Sequence, residues 1–291
     1  MSHATLIPQI VGDWWTIATS PDIGDYGSAH QQPMDFGLWR ARDGRWQLGA
    51  CIRRTACGGE GRLLWRWESE SLLHEDWPSA GLLLESDVNS GETLGGLQAP
   101  YVIAADGQYQ MFYGDWVSIC RASSLDGKQF SRHLQADGKS ALFNEGQSAN
   151  TRDPMVFVHG GSYFAYYTGV VHGVGAIYCR TSRNLHDWSP ATIVSRGGAG
   201  GCGASDAECA FVTQAPGCDS FYLFRWHSDG NTSVYCSDDL YDFGIDHDDK
   251  KIASLPVEVA RIIESEDGMF ISSLMEDYTG IRLARFEWQA G

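Results

Sequence analysis

The sequence predicts an all-β fold, a five-bladed β-propeller with four-stranded antiparallel blades. Three observations predict it. A unit of strand, glycine-centred turn and aromatic strand recurs five times along the chain. Its copies are spaced by roughly 50–60 residues, about the length of one propeller blade. No segment carries a long amphipathic helical period, so the repeat is built from strands.

The first blade opens with DFGLWRARDGRWQLGACI (Asp35 to Ile52) and continues with LLWRWESESLLHEDWPSAGLLLES. The second opens with APYVIAADGQYQMFYG (Ala99 to Gly114), the third with DPMVFVHGGSYFAYYTG (Asp153 to Gly169) and the fourth with ECAFVTQAPGCDSFYLFRW (Glu208 to Trp226). VEVARIIESEDGMFISSL (Val257 to Leu274) is a weaker fifth copy. Asp-Gly and Gly-Gly supply the positive φ angles that tight hairpin turns need. The aromatic after each turn sets an expected register of Trp46, Tyr109, Tyr163, Tyr222 and Phe270.

A second hairpin follows in blades two to four, as SICRASSLDGKQFSRH, AIYCRTSRNLHDWSPATIV and SVYCSDDLYDFGI. Cys120, Cys179 and Cys236 are expected at matching places within it, on one interior layer. The whole chain, residues 1–291, is then a single propeller, with residues 1–30 packing on the ring or closing it. A two-sheet sandwich would leave the repeat unexplained.

Composition bounds the partners. With a net charge of −16 the chain is a poor match for nucleic acid or an anionic membrane surface. A neutral or weakly charged substrate fits better, and a local basic pocket for an acidic sugar remains open. The chain has 11 Trp, 12 Tyr and 12 Phe. Such rings suit strands and also the flat faces of sugars. The eight cysteines form no CxxC pair, and the seven-residue spacing of Cys202 and Cys209 is not a zinc pattern. No metal or other cofactor is implied, and nothing sets an oligomeric state. The opening MSHATLIPQIVGDWW lacks a basic region followed by an apolar one. With thiols that read as free and buried, it suggests a cytoplasmic location.

In a propeller the innermost strands line the axis, so their starts converge on one face. Asp35, Asp153 and Glu208 open the inner strands of blades one, three and four. An acidic residue at a strand start is commonplace. Three on converging strands suit glycoside hydrolysis. One carboxyl gives a proton to the leaving oxygen, a second activates water or attacks the anomeric carbon, and a third stabilises positive charge on the ring. Loops on the same face carry Arg53, Arg54, Asp115, Trp116, His172, Trp226 and His227. Trp116 and Trp226 could stack on sugar. Gln98, Gln32, His172 and His227 could bind hydroxyls, and Arg152, beside Asp153, could hold a substrate hydroxyl or fix a carboxylate.

These pieces resemble the five-bladed propeller glycosidases of glycoside hydrolase families 43, 32, 62 and 68. MDFGLWRARDGRWQL is similar to their first-blade pattern, with Phe36 where proline is usual. LQAPYVIAADGQYQMFYGD looks like their Ala-Pro blade, RDPMVF carries an Arg-Asp-Pro motif typical of family 32, and AECAFV has its Glu-Cys form. NLHDWSP resembles a turn that recurs in these blades. The resemblance implies that Asp35 is the general base of an inverting enzyme or the nucleophile of a retaining one. It implies that Asp153 stabilises the transition state and tunes the acid, and that Glu208 is the general acid. A single-domain enzyme similar to family 43, releasing a furanose or related sugar from the non-reducing end, is the expectation. The alternatives on this scaffold are a glycoside phosphorylase or transglycosylase and a non-catalytic sugar-binding propeller.

Overall fold

A computed structural model describes residues 5–291. The first strand, β1 (Leu6–Thr19), belongs to the last sheet. Blade one is β2 (Gln32–Arg40), β3 (Trp46–Arg53), β4 (Leu63–Ser69) and β5 (Ser79–Leu84). Blade two is β6 (Gln98–Ala105), β7 (Gln108–Gly114) and β8 (Ile119–Ser124), with its outer place shared by β9 (Ser131–Arg132) and β10 (Ala141–Phe143). Blade three is β11 (Arg152–His159), β12 (Ser162–Val171), β13 (Val174–Ser182) and β14 (Thr192–Ser195). Blade four is β15 (Glu208–Gln214), β16 (Phe221–Trp226), β17 (Thr232–Ser237) and β18 (Lys251–Leu255). The fifth sheet takes β19 (Ile262–Ser265), β20 (Gly268–Leu274) and β21 (Gly280–Ala290), and β1 adds its outer strand. The architecture is a five-bladed β-propeller of antiparallel sheets.

A serine turn explains why the repeat is so regular. Ser124 Oγ accepts hydrogen bonds from the amides of Asp126 and Gly127, and Asp126 Oδ1 accepts from those of Lys128 and Gln129. Ser182 and Asn184 repeat the pattern toward Leu185, His186 and Asp187. Ser69 with Ser71, and Ser237 with Asp239, repeat its core. A short oxygen-bearing side chain that bonds backbone just ahead of it forms a turn with no tertiary help. NLHDWSP is one copy of this turn.

The four serines also fix the true register. They lie opposite Trp46, Tyr109, Tyr163 and Phe221. The expected Tyr222 is therefore displaced by one, because the longer turn before β16 starts that strand at Phe221. The cysteines do not match either. Cys120 lies near the start of β8, whereas Cys236 is the residue before the turn serine at the end of β17. Cys120 and Cys179 are buried, Cys236 is only partly so, and all eight cysteines are free thiols.

The chain divides into two compact units. One comprises Trp15–Pro154 and Leu274–Arg282, the other Met155–Ser273 and Leu283–Gly291 with residues 5–14. In the first, Trp39, Cys51, Leu64, Leu83, Leu84, Leu97, Val102 and Met111 form a buried cluster joining blades one and two. β2 lies directly against β6: a Cβ on Gly37 would sit 2.5 Å from the Pro100 carbonyl oxygen. In the second, Phe224, Phe286 and Trp288 pack edge to face, and Tyr222 packs tilted on Trp288 with centroids 4.5 Å apart. No helix among the described residues is long and apolar enough to cross a membrane.

Gly37→Ala is expected to destabilise the protein by about 2 kcal/mol or more, since the obstacle is backbone and cannot swing aside. Urea unfolding of the two proteins measures it, and an unchanged midpoint would contradict the close approach of β2 and β6.

Candidate active site

The site is built on bulges. Between Gln98 and Tyr101 of β6 the register to β7 slips, so that two residues oppose one. The same slip occurs between Pro33 and Phe36 of β2 and between Glu208 and Phe211 of β15. Ala99, Asp153 and Cys209 take left-handed backbone angles, with φ of 41°, 55° and 54°. Such angles cost a non-glycine residue on the order of 1 kcal/mol. A bulge bends its strand and re-aims the side chains beside it.

In the first unit two carboxylates meet. Asp35 is 9% exposed and Asp153 is 1% exposed. A carboxylate oxygen of one lies within 4.8 Å of a carboxylate oxygen of the other. At that range they repel, the more so because water is largely excluded. The Arg152 guanidinium offsets this, with Nε 3.6 Å from Asp153 Oδ2. Arg152 is itself buried and donates from Nη1 to the Asn150 carbonyl. To hold a hard cation, the carboxylate pair would need further oxygen ligands.

Gln98 is buried opposite Gly114, and its Oε1 has no hydrogen-bond partner. Asp115 is a turn former. Its Oδ1 accepts from the amides of Val117 at 3.0 Å and Ser118 at 2.5 Å. Burial raises its pKa above the ordinary aspartate value, and those two bonds partly offset the rise. The turn projects Trp116, whose φ is 80°. Arg62 lies over the Trp116 ring at 5.0 Å and so covers one of its faces.

In the second unit Glu208 opens β15, half-buried, between the buried Ala207 and Cys209. It pairs across the ladder with Trp226, whose Nε1 makes no hydrogen bond. His172 is exposed at the turn from β12 to β13, with a φ of 53°. His227 is not free to bind a hydroxyl. Its Nδ1 lies 2.8 Å from the Asp206 carbonyl oxygen, which can only accept, so Nδ1 carries the proton. Nε2 then accepts from Ser233 Oγ at 2.7 Å. Its role is to hold the loop that leads into Glu208.

Sequence reasoning missed a second brace. Arg261 is 3% exposed and donates from Nη1 to the carbonyls of Cys209, Ala210 and Ala260. A bulge strands carbonyls that the ladder would otherwise satisfy, and Arg261 supplies the donors. The signal was a lone arginine in the apolar run VEVARII. Arg62 was also missed, and its signal was a cation just after a glycine-rich loop.

No protein-family model matches the sequence, and no curated protein does. Solved structures do. A thermostable family-43 glycoside hydrolase is 18% identical with a TM-score of 0.66, covering 94% of this chain and 92% of that one. What the two share is a fold. A family 117 glycoside hydrolase of Zobellia galactanivorans is 12% identical with a TM-score of 0.64, covering 98% and 91%. An endo-arabinase of Bacteroides thetaiotaomicron is 12% identical with a TM-score of 0.64, covering 89% and 94%.

His227 makes stability depend on pH. Desolvation holds its folded pKa below the ordinary histidine value, against the opposing pull of the Asp206 carbonyl. On acidification the unfolded chain therefore takes up the proton first. The contribution of His227 is full above the unfolded pKa of about 6.5 and is lost as pH falls toward the folded value. The stability advantage of wild type over His227→Gln is expected to shrink between about pH 7.5 and pH 5. Urea unfolding at both pH values checks this, and a constant difference would refute it.

Proposed function

We propose that the chain is a glycoside hydrolase that cleaves a bond at the non-reducing end of an oligosaccharide or polysaccharide and releases a furanose or related sugar. The observation that carries this reading is the close pair of buried carboxylates, Asp35 and Asp153, beside Arg152. A fold shared with a family-43 glycoside hydrolase and an endo-arabinase supports it.

On this reading Asp35 is the base that activates water, or the nucleophile that attacks the anomeric carbon. Asp153 stays ionised and stabilises the positive charge that develops on the sugar ring. Arg152 keeps Asp153 in its ionised form and in place. Glu208 protonates the leaving oxygen. Gln98 Oε1, buried without a partner, is placed to accept from a sugar hydroxyl. Trp116 and Trp226 supply ring faces. Arg261 and His227 touch no substrate and hold the backbone on either side of Glu208.

Asp35→Asn and Glu208→Gln are each expected to lower turnover by about a thousandfold or more with little change in unfolding midpoint. A screen on aryl furanosides and plant or algal oligosaccharides finds the substrate. NMR of the first-formed anomer then separates the two roles of Asp35. Near-normal turnover in both variants would overturn the assignment.

A further inference from the structure

Around Asp35 the chain gathers three arginines, and Asp35 is the one carboxylate whose charge is felt at Arg53. Arg53, at the end of β3, pairs across the ladder with Gln32 and donates from Nε to Gln32 Oε1 at 3.0 Å. Its guanidinium lies 4.8 Å over the Tyr278 ring. Arg62 approaches from the next loop and lies within 3.9 Å of Cys51 Sγ through Nη1. Cys51 is the residue opposite the bulge that carries Asp35, so Arg62 is only one side chain from that carboxylate. Arg54 is exposed.

Among the described residues none of these three arginines makes an ion pair with a carboxylate. Arg53 and Arg62 are held by a carboxamide, rings and a thiol, none of which cancels a charge. The mutual repulsion is felt: beyond the effect of burial, Arg54 and Arg62 push the pKa of Arg53 below the ordinary arginine value. A chain of net charge −16 has carboxylates to spare, yet it sets only Asp35 against these three guanidinium groups. Beside it opens a cavity of about 250 Å³, lined by His30, Gln32, Arg54, Asp277, Tyr278 and Thr279. Asp277 is its one acidic wall, and its Oδ1 is occupied by the amide and hydroxyl of Thr279.

We propose that the sugar bound next to Asp35 is anionic, and that Arg53 and Arg62 bind its carboxylate or sulfate group while Arg54 draws it into the cavity. The proposal rests on the glycosidase reading for its substrate class but not for its main test, which measures binding. Half-buried guanidinium groups give up hydration to sit here, and a carboxylate or sulfate offers each a pair of acceptor oxygens in return. A neutral furanose offers no such return.

The test uses the full chain carrying Glu208→Gln, so that no cleavage intervenes. Digalacturonate, galactose 6-sulfate and neutral xylobiose are titrated by calorimetry at low and high salt. Tighter binding of digalacturonate assigns a carboxylate, and tighter binding of galactose 6-sulfate assigns a sulfate. In either case affinity is expected to fall at least about tenfold in Arg53→Gln/Arg62→Gln and to weaken with salt, while Arg53→Lys/Arg62→Lys keeps part of it. The exposed Arg54→Gln is the check should the double variant fail to fold, and a smaller, salt-dependent loss is expected there. Equal binding of xylobiose, no binding of either anion, or anion binding unchanged in the glutamine variants overturns the proposal. So does cleavage by the wild type that requires inorganic phosphate, which would make the cluster a phosphate site. Failure of the glycosidase reading shows separately, as undiminished turnover in Asp35→Asn and Glu208→Gln.

Discussion

The structure depends on one irregularity, the bulge at the start of a blade's first strand. A regular ladder would alternate side chains between the faces of the blade. Two residues opposing one break that alternation at a chosen point. The cost is a left-handed backbone at Ala99 and Cys209 and carbonyls left without ladder partners. The surroundings meet it. Arg261 serves the carbonyls after Glu208, and the residue opposite each bulge is held in turn. Tyr113 donates to Glu92 at 2.7 Å, and Arg132 grips both oxygens of Glu92. Arg225, fully buried, donates to Ser195 Oγ and to the Gly197 carbonyl. Each bulge is thus locked from its own blade or the loop beside it, and the side chains it aims are fixed before any ligand arrives.

The acidic surface and the interior follow opposite rules. Surface arginines and lysines pair with carboxylates, as Lys128 does with Asp43 and Glu68, and Arg196 with Asp246. Such exposed pairs add little stability. Inside, the guanidinium groups of Arg225 and Arg261 donate to carbonyls and a hydroxyl and lie over ring faces. The molecule can therefore be strongly anionic in bulk and cationic at one spot, and long-range attraction and local recognition need not favour the same ligand.

Much of the fold was legible because its signals are local. The Ser-x-Asx turns bond within three residues of their own serine, and the Asp-Gly and Gly-Gly turns need no neighbour to form. Asp153 was legible as a strand opening set against an apolar run, whereas Asp35, expected to open its strand, is the fourth residue of β2 and sits in the bulge. What was not legible depends on partners far along the chain. His227 read as a loop residue because nothing nearby in sequence reveals Asp206 and Ser233 on its two nitrogens. Arg261 serves carbonyls more than fifty residues away. The one-residue error at Tyr222 and the mismatched cysteines came from assuming that turns of unequal length keep the same register.

The fifth sheet has a further consequence. Its outer strand comes from the start of the chain and its other three from the end. The Gly291 amide donates to Thr5, and the Ser20 amide to Thr279, so the two ends run antiparallel along one another. That pairing has the largest sequence separation the chain can offer, and contacts of that kind form slowly. On a ribosome β1 emerges first and waits, an exposed strand edge, until β21 has been made. Four blades can form while it waits, but the last cannot. The step that completes the fold is therefore also the one most open to capture by a second chain, whose β21 could meet the waiting β1 in place of its own.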